Sequence, residues 1–179
     1  MASLLARLHL RQAPPGWEPA TRLGRDERIV AWATSVDDTS VVATTKHLWW
    51  PDAGGADAPD DGAAPRSISW HLIAKAVWQD SWLSVTELDV IDDIWLLDRQ
   101  AIRLRLSEPG NLPSEVRTRV ERSVVRSETA TVPGGTVRFV ARKVAGEDGL
   151  RWWARLEGGA VRTPEIESAV RARLDRLRG

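Results

Sequence analysis

Residues 101–125 read AIRLRLSEPGNLPSEVRTRVERSVV, which suggests one strand, one turn and one helix in succession. Isoleucine or leucine alternates with arginine from Ile102 to Leu106, the two-residue period of a strand with one buried face. Pro113 suits the first turn of a helix, where its missing N–H costs nothing. Valines then recur every four residues, so we expect an amphipathic helix over 113–125. The stretch therefore predicts an antiparallel strand followed by a helix that packs on the sheet.

Several β-like runs precede this stretch. They are rich in β-branched and apolar residues and are separated by Asp, Gly and Pro, as strands and turns are. We expect strands within 28–34, 39–50, 66–78, 82–90 and 94–98, with a break near Thr45 in the second run. Residues 51–65 contain no large apolar side chain and are predicted to form a flexible loop. Residues 1–26, with several prolines, are expected to form an extended lead-in.

The chain after residue 125 has a different pattern. Strands are expected near 127–132, 136–144 and 150–157, with glycine-containing turns between them. Thr163 followed by Pro164 predicts the start of a final helix, because threonine caps a helix and proline fits its first position. The predicted order of this segment, 126–179, is β-β-β-α.

The composition limits the chemistry. The chain has 179 residues, no cysteine and three histidines, so thiolate catalysis, zinc fingers and iron–sulfur clusters are excluded. We expect neither a metal nor any other cofactor. No run of 18 apolar residues is present, and the first residues carry no basic leader, so we expect a cytoplasmic protein without a transmembrane segment.

The zero net charge conceals an asymmetry between the two halves. Residues 1–111 carry 11 basic and 16 acidic side chains, net −5, whereas residues 112–179 carry 14 and 9, net +5. Opposite charges would attract the halves to each other, or would direct each half to a different partner. Both interpretations stay open.

Two segments carry a resemblance to a known family. They are VVATTKHLWW at 41–50 and RSISWHLIAKAV at 66–77, which are similar to a strand–turn–strand and the next strand of bacterial pleckstrin-homology-like (PH-like) barrels. The resemblance implies an α+β fold, mostly antiparallel, with a barrel of about seven strands over 27–125 capped by the helix at 113–125. It also implies a module that binds proteins, peptides or lipid headgroups. The segment 126–179 departs from the family and is expected to be an appendage.

Tryptophan supplies nearly all of the aromatic volume, with ten Trp, one Phe and no Tyr. Four tryptophans inside apolar strands are expected in the core: Trp32, Trp70, Trp78 and Trp95. The doublets differ, because successive side chains on a strand point to opposite faces. One indole of each doublet should therefore leave its core, and the candidate interface residues are Trp49, Trp50, Trp152 and Trp153.

The basic residues of the second half suggest a different site. Anionic-ligand candidates beside the second doublet are Arg138, Arg142, Arg151 and Arg155, because arginine contacts phosphates and tryptophan stacks on bases. Nucleic-acid or anionic-ligand binding through 112–179 is therefore an alternative function. A charged face exposed to water, with arginine lying over tryptophan, explains the same residues and is favoured.

The sequence gives less support for a catalytic or a metal-binding site than for a binding module. His71 with Asp89 or Asp93 would provide a base and a carboxylate, but these aspartates are better explained by a hairpin turn. The acidic residues of the 51–65 loop do not have the spacing of a calcium-binding EF-hand; they are Asp52, Asp57, Asp60 and Asp61. We therefore expect a non-catalytic module that acts through a protein partner or self-association. Nucleic-acid binding ranks second and an enzyme last.

Overall fold

The structure is a computed structural model that describes Ala13, Pro14, Trp17, Leu23, Gly24 and residues 26–51 and 65–179. Within these residues the fold is α+β, with one mostly antiparallel open sheet of eleven strands and two α-helices. This agrees with the predicted class. Most of the expected lead-in and of the expected loop 51–65 lies outside the described residues.

The elements follow one another closely along the chain. The strands of the first part are β1 (Ile29–Ser35), β2 (Ser40–Thr44), β3 (His47–Trp50), β4 (Arg66–Ser69), β5 (Ile73–Gln79), β6 (Trp82–Ile91), β7 (Trp95–Asp98) and β8 (Ile102–Glu108). The second part contains helix α1 (Leu112–Ser123), strands β9 (Val124–Val132), β10 (Gly135–Arg142) and β11 (Arg151–Glu157), and helix α2 (Pro164–Arg178). A 3-10 turn (Trp70–Leu72) separates β4 from β5.

The long strand β6 connects two regions of the sheet. Its first half pairs with β5 and β8, and β8 pairs in turn with β1 of the β1–β4 meander. Its second half pairs with β7, which makes a parallel contact with β11. We call β1–β5, β8 and α1 the α1 region, and β7, β9–β11 and α2 the α2 region. The two halves of the chain thus share one continuous sheet.

Each region has its own core. In the α1 region, the buried side chains include Leu48, Trp50 and Leu83, and α1 packs on them through Leu112, Val116 and Val120. The core of the α2 region forms between β10, β11 and α2. Its buried side chains include Trp95, Phe139, Trp152, Ile166, Val170 and Leu174. A smaller, separate cluster contains Leu88, Leu96, Val144 and Trp153, and Ala74 of β5 packs against it, so residues of both regions meet there.

Two predicted elements differ from the structure. The expected strand 66–78 is interrupted because the indole of Trp70 turns inward and donates a hydrogen bond to the carbonyl of Thr44, at 3.1 Å. The expected helix 113–125 ends two residues earlier, and Val124 begins β9 with extended backbone. Two β-branched valines in succession favour this change from helix to strand.

The final helix begins as predicted. Thr163 is its N-cap, and its hydroxyl accepts a hydrogen bond from the N–H of Ile166 at 3.3 Å. Ile166, Val170 and Leu174 are buried on the predicted face. The helix is also held at both ends to the β6–β7 turn, since Arg162 pairs with Asp92 and Arg178 donates to the carbonyl of Asp93. Residues from the acidic half and the basic half therefore meet here.

Candidate functional site

The first tryptophan doublet lies at the end of β3. Trp50 is only 4% exposed and belongs to the core of the α1 region. Trp49 is half-buried, and its ring meets that of Trp17 edge-on with centroids 6.0 Å apart. The lead-in residue Trp17 thus lies against the indole of this doublet that does not enter the core.

The second doublet lies in β11 with its rings on opposite faces. Trp152 packs in the core beneath α2, and Trp153, 1% exposed, packs at the junction of the two regions. Trp153 also stacks on His71, with ring centroids 6.0 Å apart and planes 9° from parallel. The alternation of faces is as expected, but the α1 region of the same chain covers the second ring. Among the described residues the doublets therefore form no exposed patch.

An exposed indole is found instead at Trp78, which the sequence placed in the core. It is 39% exposed near the end of β5. The local sequence contains a signal for this position. Trp78 is followed by Gln79, Asp80 and Ser81, and a residue near the end of an edge strand, just before a polar turn, has few neighbours to cover it.

A groove runs between β5 and α1 beside this indole. Its volume is about 770 Å³. The wall on the β5 side is formed by Ala74, Lys75, Ala76, Val77 and Trp78. The floor and the opposite wall are formed by Leu83, Pro109, Gly110, Pro113, Ser114, Arg117, Val120 and Glu121.

Along this groove, one backbone edge of β5 faces no other strand of the described residues. Within the described residues, β5 pairs only with β6. Asp80 and Ser81 both have positive φ, 49° and 66°, which makes a two-residue type I′ hairpin closed by Gln79 and Trp82. Hydrogen-bonded and non-hydrogen-bonded pairs alternate from that closing pair. The N–H and C=O groups of Ala76 and Trp78 therefore point away from β6, toward the groove.

The four candidate arginines lie on one face of the α2-region sheet. Arg138 is directly opposite Arg155, and Arg142 is directly opposite Arg151. Three of them are neutralised by carboxylates: Arg138 by Glu157, Arg151 by Glu147 and Arg155 by Asp98. The structure therefore brings the four together, but three of the positive charges are already paired.

Arg142 differs from the other three because it is buried, with 3% of its surface exposed. One of its terminal nitrogens donates to the carbonyl of Ile73 at 2.9 Å and to the hydroxyl of Ser123 at 3.1 Å. Both partners are neutral, and no carboxylate of the described residues lies within 4.0 Å. Burial lowers the pKa of Arg142 to about 10, with a further contribution from the charge of Arg155, so the group is still charged at pH 7.

A second, smaller cavity lies where α1, the 3-10 turn and the end of β10 meet. Its volume is about 220 Å³, and sequence reasoning did not identify it because its residues come from four separate segments. We call it the basic cavity. It is lined by Thr45, Trp70, His71, Arg119, Arg122, Ser123, Lys143 and Ala145.

His71 of this cavity is held in its neutral form. Burial lowers its pKa to about 4, and the charges of Arg142 and Arg151 add to the effect. Among the described residues, no hydrogen bond or ion pair joins it to Asp89 or Asp93. Asp89 lies near Arg99, 3.6 Å away, and Asp93 lies in the β6–β7 turn. The residues of the acid–base pair that was ranked last are thus not linked, and the acidic loop 52–61 lies outside the described residues.

No family model, curated protein or solved structure is significantly similar to the chain. The helices within the described residues are all too short or too polar to cross a bilayer. The groove beside β5 and the basic cavity are therefore interpreted from their own geometry and chemistry.

Proposed function

We propose that this protein binds an extended segment of a protein partner, which adds as a strand to β5 in the groove between β5 and α1. The observation that carries the proposal is the outward backbone edge at Ala76 and Trp78, open along a groove of about 770 Å³. An exposed strand edge is a ready template for another strand.

The side chains around the outward edge of β5 are of the kinds that bind an extended peptide. Strand addition obtains affinity from main-chain hydrogen bonds and specificity from pockets for alternate side chains. Here Trp78 supplies a large apolar ring, and tryptophan is among the residues that most often contribute strongly to interfaces. Leu83 and Val120 provide an apolar floor, while Arg117 and Glu121 form an ion pair on the rim.

The proposal extends to the fold of residues 27–125, which we propose to be a PH-like barrel with α1 as its capping helix. Support comes from the β1–β4 meander, from β8 pairing with both β1 and β6, and from the packing of α1 on β1, β2 and β5. On this view, the module has no catalytic role and acts by binding.

The test uses peptides as probes. A displayed library of random dodecapeptides is selected on the immobilised protein, and enriched sequences are measured by fluorescence polarisation. Ala76→Pro removes the outward N–H without breaking the β5–β6 ladder, and Trp78→Arg removes the exposed ring. Each should weaken binding about tenfold or more, because a lost hot-spot contact costs roughly 2 kcal/mol or more.

Matched controls separate the edge from general surface effects. Ala76→Ser keeps the N–H, and Val161→Arg makes the same kind of change at a residue that is 72% exposed in a loop. Both should bind the enriched peptides as the unaltered protein does. Peptides that bind Ala76→Pro and Trp78→Arg with unchanged affinity would contradict the proposal. A dimer in light scattering that Ala76→Pro converts to a monomer would assign the edge to a second copy instead.

A further inference from the structure

The basic cavity contains more positive charge than its surroundings neutralise. Arg119 shares its charge with Glu115, at 2.7 Å. Arg122 and Lys143 have no carboxylate within 4.0 Å among the described residues, and both are exposed at the mouth of the cavity. Positive charges grouped in this way repel one another unless an anion lies between them.

The buried guanidinium of Arg142 adds a charge behind the cavity wall. It donates to the hydroxyl of Ser123, and Ser123 itself lines the cavity. Its Nε is buried and has no hydrogen-bond partner among the described residues. A buried charge that is held only by neutral oxygens is costly, and a nearby anion would reduce that cost.

The end of α1 opposes an anion, but only weakly. The carboxyl end of a helix carries about half a negative charge, spread over its last carbonyls. Several of these carbonyls already accept hydrogen bonds: that of Val120 from the Ser123 hydroxyl, that of Glu121 from the Val124 N–H, and that of Ser123 from the Lys143 N–H. The full charges of Arg122, Lys143 and Arg142 outweigh this partial charge.

We propose that the basic cavity is a binding site for a phosphate group, either inorganic phosphate or a small phosphomonoester, held by Arg119, Arg122 and Lys143. A water molecule in the liquid occupies about 30 Å³, so about 220 Å³ accommodates a tetrahedral oxyanion with a few waters. Arginine and lysine together supply the forked and single N–H donors that phosphate oxygens accept. This site does not depend on the β5–α1 groove and is formed by different residues.

Trp70 and Thr45 hold one of the proposed phosphate ligands, Arg119, in place. The guanidinium of Arg119 lies over the ring of Trp70, 5.8 Å from its centroid, and donates to the carbonyl of Thr45 at 3.3 Å. The imidazole of His71 is fixed by stacking on Trp153. Because Lys143 follows β10 and Arg122 lies in α1, the site is complete only when both regions of the chain are packed together.

Isothermal titration calorimetry with inorganic phosphate and with glycerol 3-phosphate tests the proposal. Replacing both outer ligands, Arg122→Gln with Lys143→Gln, should weaken binding about tenfold or more, since each removed group supplies a charge-assisted hydrogen bond to the phosphate. Equal affinity for the two probes would assign a site for the oxyanion alone, and tighter binding of glycerol 3-phosphate would assign a monoester. The control is Arg171→Gln with Arg176→Gln, which removes the same charge from α2 and should leave affinity unchanged.

The imidazole of His71 provides a second readout by NMR. A bound phosphate anion stabilises the imidazolium, so saturating phosphate should raise the pKa of His71 from about 4, and His71→Gln identifies its signals. Absence of both heat and a His71 shift at about 10 mM phosphate would overturn the proposal, because the dissociation constant would then lie well above about 10 mM. Equal weakening by the α2 control pair would also overturn it, since binding would then follow net charge alone.

Discussion

Helices α1 and α2 each cover one face of the sheet, but the contacts that they make differ. Helix α2 lies over β9, β10 and β11 and is fastened at both ends to the β6–β7 turn through Arg162 and Arg178. Helix α1 lies beside β5, an edge strand, and leaves a groove between them. Both helices therefore close a core, but α1 also lies beside the unpaired edge of β5 and leaves backbone and side chains there available for binding.

The largest loss of folding stability is expected at the junction between the α1 and α2 regions. Trp153 is 1% exposed and contacts both regions, whereas Trp78 lies in the groove and is partly exposed. We expect Trp153→Ala to lower the free energy of unfolding by about 3–5 kcal/mol, the usual cost of removing a buried large aromatic ring. Urea denaturation followed by circular dichroism measures the change.

Trp78→Ala is the matched control, and it should cost much less because its ring is already partly in water. The slope of the denaturation curve should stay the same in both variants if the two regions unfold together. If Trp78→Ala were as destabilising as Trp153→Ala, the groove would be part of the core and not an open surface.

The close fit of the α2 region is tested at Gly135, at the start of β10. A Cβ added there would lie 2.6 Å from the Cβ of Ala160, in the segment that leads into α2. We expect Gly135→Ala to destabilise the protein by about 1–3 kcal/mol, since a well-packed site must shift to admit a methyl group. Thermal unfolding monitored by circular dichroism detects this.

A second substitution checks the reason for that loss. Combining Gly135→Ala with Ala160→Gly removes the methyl group that causes the contact, so part of the stability should return. Gly146→Ala is a different control: nothing lies within 4 Å of its added Cβ, but its φ of +87° leaves backbone strain as its only cost. A double variant no more stable than Gly135→Ala would show that the contact with Ala160 is not the cause.

Sequence patterns predicted elements well where the signal is local. The alternation over 102–106, the four-residue period of α1 and the Thr163-Pro164 start of α2 all correspond to elements of the structure. The break at Trp70 was not predicted, because it depends on a hydrogen bond to Thr44, 26 residues earlier. Local periodicity carries no information about such a partner.

The candidate sites were harder to predict for the same reason. Alternation along β11 correctly placed Trp152 and Trp153 on opposite faces, but only the tertiary structure shows that the α1 region covers Trp153. The arginines of β10 and β11 were grouped from sequence, yet their carboxylate partners lie up to 57 residues away. The basic cavity combines the β2–β3 turn, the 3-10 turn, α1 and the segment after β10, and no single segment identifies it.

The starts of the two helices give the smallest expected difference. Thr163 caps α2 through its hydroxyl, whereas Asn111, at the same position before α1, makes no side-chain capping bond. We expect Thr163→Ala to cost about 1 kcal/mol, the typical value of an N-cap hydrogen bond. Asn111→Ala should change stability by less than about 0.5 kcal/mol, as substitutions at exposed positions without specific bonds usually do. Urea midpoints at a constant slope resolve this difference, and Thr163→Ser should retain most of the cap because its hydroxyl can accept the same bond. Equal losses for Thr163→Ala and Asn111→Ala would mean that Asn111 also caps its helix in solution, and α1 would then be anchored at its start as firmly as α2.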